Sequence, residues 1–278
     1  MSKYAEAIAD YDQAIKLKPD YLDAFNNRGF SKLQLGKYVD AIADFDHVIR
    51  LKPDYLDAFY SRGYAKNNLS KYAEAIVDLD QAIKLKSDYS DAFYVRGSAN
   101  YQLGKYAEAI ADFDYVISSQ PDNLDAFFNR SLVKVKIGKY PEAISDLDHV
   151  IRLKPENSNA FVTRGIAKEG LHKNTEAIAD YDQAIRLEPN SPLAFCNRGI
   201  AKYNLIQYTE SLLDLDQALV FDPNYVEAYA YKGCCLVKMK QKKRLQEAIE
   251  CIDKALALDA TLIYAQECKT QAIKLLKE

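Results

Sequence analysis

The chain has 278 residues, of which 49% are hydrophobic, and 37 basic and 40 acidic side chains give it a formal net charge of −3. That length and apolar content allow a sizeable core in one or two domains. The near balance of charge gives no reason to expect binding to nucleic acid or to an anionic membrane surface. No apolar run approaches the ~20 residues of a membrane span, and the opening MSKYAEAIAD is not a secretory signal.

The first predicted element is a single amphipathic helix within residues 1–21. Tyr4, Ile8, Tyr11 and Ile15 share one face of it at helical spacing. This segment matches only the second half of the repeat that follows it, so it is an N-terminal half repeat without a partner helix. Exposed apolar stripes tend to find partners. We therefore expect that the chain is cut from a longer array or that it forms a homodimer through this end.

From Leu22 onward, one aromatic position returns every 34 residues. Its occupants are Phe25, Phe59, Phe93, Phe127, Phe161, Phe195 and Tyr229. This period divides the chain into repeats 1 to 7, which cover residues 22–55, 56–89, 90–123, 124–157, 158–191, 192–225 and 226–262. The last of them is three residues longer, because of extra length in KMKQKKRLQ. Residues 263–278 lie where another repeat would begin, and they predict the capping helix that repeat arrays require.

Each repeat predicts two helices. With Leu22 as position 1, helix A covers roughly positions 2–14 and helix B roughly positions 18–31, with apolar residues spaced i, i+3, i+4, i+7. Proline stops helix B at position 32, as Pro53 does in repeat 1. Neither helix can bury its apolar face alone, so the repeats must stack on one another.

The residues at fixed positions identify the kind of repeat. In repeat 1, positions 4, 8, 17, 20, 24, 27 and 32 hold Phe25, Gly29, Tyr38, Ala41, Phe45, Val48 and Pro53. This set recurs over essentially the whole chain and resembles the tetratricopeptide repeat (TPR). The resemblance implies an all-α fold, in which antiparallel helix pairs stack into a right-handed superhelical solenoid and the A helices line a concave groove.

The sequence offers no active site. No nucleophile, base and orienting group fall together, and the stretch GFSKLQLGKY lacks the spacing and the Ser or Thr of a phosphate loop. Paired aspartates such as Asp44 and Asp46 could suggest a metal site. Residues two apart on a helix, however, point about 200° away from each other and do not converge. We predict no catalysis, no cofactor and no metal; the alternative is the TPR region of a larger enzyme or effector, which would recruit substrates or partners.

The cysteines all lie in the last third of the chain, as Cys196, Cys234, Cys235, Cys251 and Cys268. Their number is odd, and they lack CxxC spacing. Both features favour free thiols that pack between helices, and hence a reducing, cytoplasmic location, over a disulfide framework.

The resemblance places positions 2, 5, 6, 9, 12 and 13 of helix A on the concave surface. The predicted groove residues are Asp23, Asn27, Phe30, Asp57, Tyr60, Tyr64, Asn68, Asp91, Tyr94, Tyr101, Gln102, Asp125, Phe128, Asn129, Asn197 and Tyr203. Amides can bond a peptide main chain, rings can accept apolar side chains, and acids favour Lys or Arg. We predict a scaffold that binds a peptide segment of a partner with basic and apolar side chains. The alternative is that these side chains solvate the groove or pack between A helices.

One subtype of the family can be tested by its residues. TPR domains that bind the C-terminal carboxylates of chaperones resemble one another in having Lys at position 5 and Asn at position 9 of one repeat. Repeat 1 has Asn26 and Phe30 there, and Asp23 begins an acidic row at position 2. That row would repel a carboxylate, so we predict that the chain is not a clamp for chaperone tails.

Position 7 carries a cation inside an otherwise apolar helical stripe, as Arg28, Arg62, Arg96, Arg130, Arg164, Arg198 and Lys232. A buried guanidinium needs a partner. The B helices carry Asp at positions 23 and 25. The half repeat has such aspartates without an arginine, and the cap has Lys269. We predict a structural ladder in which each cation pairs with aspartates of the preceding repeat; pairing within a repeat is the alternative.

Overall fold

The computed structural model describes residues 2–277, with side chains from Lys3 onward. Within that range it contains sixteen α-helices, a short 3-10 helix over Lys242–Arg244 and no strand, so the all-α prediction is confirmed. The α-helices are α1 (Ser2–Leu17), α2 (Leu22–Gln34), α3 (Tyr38–Leu51), α4 (Leu56–Asn68), α5 (Tyr72–Leu85), α6 (Ser90–Gln102), α7 (Tyr106–Ser119), α8 (Leu124–Lys136), α9 (Tyr140–Leu153), α10 (Ser158–Gly170), α11 (Asn174–Leu187), α12 (Pro192–Asn204), α13 (Tyr208–Phe221), α14 (Val226–Lys238), α15 (Leu245–Leu258) and α16 (Ile263–Lys277).

The helices alternate as A and B members of the repeats, starting with α2 and α3. In repeats 1 to 6, each helix begins and ends one position earlier than the periodicity indicates, at positions 1–13 and 17–30. The turn between A and B needs a left-handed residue at position 15. Gly36, Gly104 and Gly138 meet that need without strain, whereas Ile206 adopts φ 64° with a β-branched side chain.

The chain folds as two compact units, one ending at Val133 and the other beginning at Lys134. In the first unit, the fully buried rings of Phe45 and Phe113 and the side chain of Leu79 fill the space between the A and B helices. Phe45 comes so close to Gly29 that a Cβ there would lie 2.8 Å from its ring. The small residue at position 8 thus allows the large one at position 24 to pack.

In the second unit the same core position holds Tyr181, Leu215 and Ile252, all fully buried. The unit also contains a disulfide between Cys234 on α14 and Cys268 on α16, with Cα atoms 5.5 Å apart. The prediction of free thiols was therefore wrong for this pair. Adjacent A helices bring position 9 of repeat 7 beside position 6 of the cap, where one cysteine meets the other.

Arg28 shows how the position-7 cations are paired. Its Nη1 donates to Asp12 at 2.6 Å, and its Nη2 donates to Asp44 at 2.5 Å. Asp12 lies on the B helix before the arginine, and Asp44 lies on the B helix of its own repeat. The guanidinium carbon sits 5.2 Å from the centre of the Phe25 ring. Both pairings considered from the sequence therefore exist at once.

The same arrangement recurs along both compact units. The arginines that bridge an aspartate of the preceding repeat and one of their own are Arg62, Arg96, Arg164 and Arg198. Lys232 and Lys269 reach Asp216 and Asp253 of the preceding B helix, each at 2.6 Å. The two aspartates at positions 23 and 25 of a B helix thus pair with different arginines. The first pairs with the arginine of its own repeat, and the second pairs with the arginine of the next repeat.

Helix α1 is anchored by its last turns. Ile15 packs on the buried cluster around Phe25 and Phe45, whereas Tyr4 is 41% exposed. The stripe expected to need a partner is therefore already covered at Ile15. Among residues 2–277, no helix has the length and apolar content needed to cross a membrane.

Candidate functional site

The A helices α2 and α4 form a pocket of about 260 Å³ in the first compact unit. Its walls are Phe30, Leu33, Gln34, Tyr60, Ser61 and Tyr64. Three of these, Phe30, Tyr60 and Tyr64, belong to the predicted groove residues. They meet because adjacent A helices place position 9 of repeat 1 beside positions 5 and 9 of repeat 2. Phe30 is 48% exposed, so a large aromatic face is open to solvent.

The aromatic surface continues from this pocket toward α6. The Tyr60 ring lies 6.4 Å from Tyr64 and 4.9 Å from Tyr89, measured between ring centres. Burial raises the pKa of Tyr60, so its hydroxyl stays protonated and can donate a hydrogen bond. Further along, the side-chain amide of Asn129 donates to the Tyr94 hydroxyl at 2.6 Å, which fixes both predicted residues.

Four predicted carboxylates, Asp23, Asp57, Asp91 and Asp125, lie exposed beside these rings. None of the ion pairs formed within residues 2–277 uses them. Burial, together with the charges of Asp57 and Asp91, raises the pKa of Tyr89 to about 12. The negative row is therefore close enough to act on the tyrosines and is not neutralised by the protein itself.

The other predicted residues of this unit lie outside the pocket. Asn68 donates to the carbonyl of Tyr64 at 2.9 Å, a bond within its own helix. Tyr101 packs 6.1 Å from Tyr106. Asn27 and Gln102 are exposed, and Phe128 is half-buried. The structure therefore brings Phe30, Tyr60 and Tyr64 together in one pocket, and these five other predicted residues lie outside it.

A second pocket of about 250 Å³ lies in the second compact unit between α12, α14 and α16. Its walls are Tyr203, Asn204, Tyr231, Cys234, Lys238, Tyr264, Glu267, Cys268 and Gln271. Of these, Tyr203 belongs to the predicted groove residues. Its ring lies 5.4 Å from Tyr231, which lies 5.1 Å from Tyr264. Tyr231 and Tyr264 were not predicted. The signal that could have indicated them is an aromatic residue at position 6 of repeat 7 and another near the start of the capping helix.

Two polar groups on these A helices have no protein partner. The Asn197 amide nitrogen and the Tyr264 hydroxyl are both buried and make no hydrogen bond within the described chain. Buried polar atoms are usually satisfied, so each is a candidate for bonding to a ligand's main chain. Asn197, a predicted residue, is itself half-buried.

One polar pair inside the second unit was not predicted. Tyr181 occupies position 24, which is Leu in the repeats directly before and after it, and its hydroxyl donates to Glu169 Oε2 at 2.6 Å. The other carboxylate oxygen of Glu169 has no partner. Burial raises the pKa of Glu169 to about 7. Glu169 stands at position 12, an A-helix position whose occupants differ from repeat to repeat.

Metal ligation and thiol chemistry find little support among the described residues. Within residues 2–277, no three His, Cys, Asp or Glu side chains come together as metal ligands. The buried thiol of Cys196 has a pKa raised by burial, which opposes formation of a reactive thiolate. The surface does provide aromatic pockets, acids without ion-pair partners, and a buried amide and a buried hydroxyl without hydrogen-bond partners, which is the chemistry of a binding surface.

Comparison with known proteins agrees with this geometry. Models described as TPR repeat match residues 1–36 and 172–205, and models described as tetratricopeptide repeat match 29–88, 60–124, 94–158 and 226–262. No curated protein matches the sequence significantly.

Solved structures show the same fold. A tetratricopeptide repeat protein from Parabacteroides merdae is similar over 91% of this chain and 98% of its own, with a TM-score of 0.73 and 15% identity. YrrB, a TPR protein with an unusual peptide-binding site, is similar over 66% of this chain and 95% of its own, with a TM-score of 0.55 and 21% identity. MamA is similar over 61% of this chain and 92% of its own, with a TM-score of 0.57 and 24% identity.

Proposed function

Since the chain belongs to the tetratricopeptide repeat family, we propose that it is a non-catalytic scaffold that binds an extended peptide segment of a partner protein on the faces of its A helices. The observation that carries the proposal is the pocket of Phe30, Tyr60 and Tyr64 beside an acidic row without internal partners. Repeat proteins use such extended surfaces for binding.

The size of the pocket supports a side chain as its occupant. Its volume of about 260 Å³ is below the ~300–1,000 Å³ of sites that hold a whole small molecule. An aromatic or aliphatic side chain would stack on Phe30 and Tyr64, and such buried anchors dominate binding energy in peptide recognition. The exposed carboxylates of Asp57 and Asp91 would then attract Lys or Arg in the flanking residues.

The proposal is tested by capturing partners from the native host's extract with the wild-type chain and with Phe30→Ser. Because Phe30 is 48% exposed, its loss should leave the fold intact. The matched control is Val39→Ser, which removes an apolar side chain that is 68% exposed on the B helix α3. We expect Phe30→Ser to lose partners that Val39→Ser retains. Equal capture by all three proteins would refute the assignment of the pocket.

We also propose a homodimer and a cytoplasmic location, which were both expected from the sequence. A homodimer through α1 would use the exposed Tyr4, and sedimentation of Tyr4→Glu against wild type would reveal it as a loss of dimer mass. A cytoplasmic location would be checked by cell fractionation. The disulfide between Cys234 and Cys268 is the feature that argues against a reducing compartment.

A further inference from the structure

Repeat 3 lacks one cation of the ladder although it keeps the aspartate that this cation pairs with in other repeats. At position 11, one turn after the arginine, five repeats carry a lysine whose Nζ lies 2.6–2.8 Å from the buried position-23 aspartate of its own B helix. In repeat 3 the residue at this position is Asn100, which is 5% exposed and donates from Nδ2 to Asp112 Oδ2 at 3.1 Å. An amide replaces an ammonium, so the local cluster carries one more negative charge than its equivalents.

A pocket of about 340 Å³ is present at this place and lies wholly within the first compact unit. Its walls are Ile76, Asp80, Arg96, Asn100, Lys105, Glu108, Ala111 and Asp112. Asn is shorter than Lys by the methylene groups that span the same space in the other repeats. The cavity therefore lies where a lysine side chain would otherwise run.

We propose that this pocket binds a primary ammonium group, supplied either by a lysine side chain of a partner or by a free polyamine. Repeat 2 shows the expected coordination, because the ammonium of Lys66 lies 2.8 Å from Asp78 and 3.9 Å from Glu74. The residues at the same positions of repeat 3 are Asp112 and Glu108, and both line the pocket. Repeat 2 thus shows how the equivalent pair of carboxylates binds an ammonium group.

The charges around the pocket are compatible with a bound cation. Arg96 is already committed to Asp80 and Asp112, each at 2.6 Å. Lys105 is the other cation in the wall, and its equivalent in repeat 2, Lys71, approaches Glu74 to 3.9 Å without preventing Lys66 from binding. Burial is the main cause that raises the pKa of Asp112, as expected for a buried carboxylate that lacks the second cation.

The pocket lies against the B helices α5 and α7 and uses none of the predicted groove residues, so it is separate from the proposed peptide groove. A ligand bound there would stabilise the packing of α6 against α5 and α7. A charge-assisted hydrogen bond to a buried carboxylate is among the stronger ones available to a small ligand.

The test is an NMR titration of the full chain with propylammonium, following the backbone amides of Glu108 and Asp112. Tetramethylammonium at equal ionic strength is the control ligand, because it has the same charge but no N–H donor. We expect saturable shifts with propylammonium only. In Asn100→Lys, which fills the pocket with the residue used by the other repeats, we expect affinity to fall by about tenfold or more. Equal shifts from both cations, or unchanged binding in Asn100→Lys, would overturn the proposal.

A second variant creates the site where it is absent. Lys66→Asn should give repeat 2 the same pocket, so propylammonium should now shift the amides of Glu74 and Asp78, and a lack of new shifts there would count against the proposal. Spermidine and a short lysine-containing peptide, titrated separately, distinguish the two sources of the ammonium. Tighter binding of spermidine supports a polyamine, and tighter binding of the peptide supports a partner lysine. Failure of both to shift Glu108 and Asp112 would contradict the site.

Discussion

The carboxylate of Glu169 should make the stability of the protein depend on pH. Its hydrogen-bond partner is the buried Tyr181 hydroxyl at 2.6 Å, and its other oxygen is unpaired. The other titratable groups close enough to interact with it, Cys196 on α12 and Tyr231 on α14, supply no positive charge. Burial therefore outweighs the hydrogen bond from Tyr181, which on its own would lower the pKa of Glu169, and that pKa rises from 4.5 to about 7.

The sign and size of this pH dependence follow from the linkage between proton binding and folding. The folded state holds the proton up to about pH 7, while the unfolded chain releases it near pH 4.5. The stabilisation from the protonated carboxyl is thus fully present below pH 4.5 and is lost as pH rises through about 7. At ~1.4 kcal/mol per pH unit over that window, the total loss is about 3 kcal/mol, after which the curve is flat.

The assay is chemical denaturation of wild type and Glu169→Gln between pH 4.5 and pH 8.5. Gln cannot titrate, and its carbonyl still accepts the bond from Tyr181. We expect the two proteins to be similarly stable at pH 4.5 and the variant to be more stable by up to about 3 kcal/mol at pH 8. Glu156→Gln, at an exposed position, is the control and should follow wild type throughout. Parallel curves for wild type and Glu169→Gln would refute the reasoning.

Three further predictions concern stability. Arg96→Ala leaves the buried Asp112 without its main partner and should cost about 3–5 kcal/mol in chemical denaturation, whereas Arg96→Leu should still capture the partners bound by wild type. Ile206→Gly relieves a left-handed φ of 64° and should gain about 1 kcal/mol, while Gly104→Ala at the same turn position should lose as much; opposite signs would contradict the turn argument. Cys268→Ser should cost about 3–4 kcal/mol, as expected for a disulfide joining residues 34 apart, and Cys251→Ser should cost much less; equal losses would exclude a role for the bond.

The helices were predictable because most repeats carry the same pattern of residues. Period-3.6 spacing, a glycine at position 8 and a proline at position 32 agree with one another, and consistent local signals specify a fold. The ladder was predictable in kind but not in connectivity. Arg28 has suitable aspartates on both neighbouring B helices, and only the geometry shows that its two Nη groups divide between Asp12 and Asp44.

The candidate site was less accessible from the sequence. The repeat positions placed Phe30, Tyr60 and Tyr64 on one face, and the structure brings them to one pocket. The second pocket was missed because Tyr264 lies in a segment whose polarity indicated only a cap. The disulfide was missed because an odd number of cysteines hides a pair, although Cys234 and Cys268 are separated by one repeat length.

The repeats can be compared with one another to find the residues that have a specific role in one repeat. A residue that obeys the repeat is explained by packing, as the arginines at position 7 are, because the same contacts recur in neighbours that cannot all be binding sites. A residue that departs from the repeat has no such explanation and must be justified locally. Asn100 departs where a lysine is usual and leaves a pocket, and Tyr181 departs where an apolar residue is usual and holds a buried carboxyl. These departures are better guides to specific chemistry than the conserved pattern, since only they distinguish one repeat from the next.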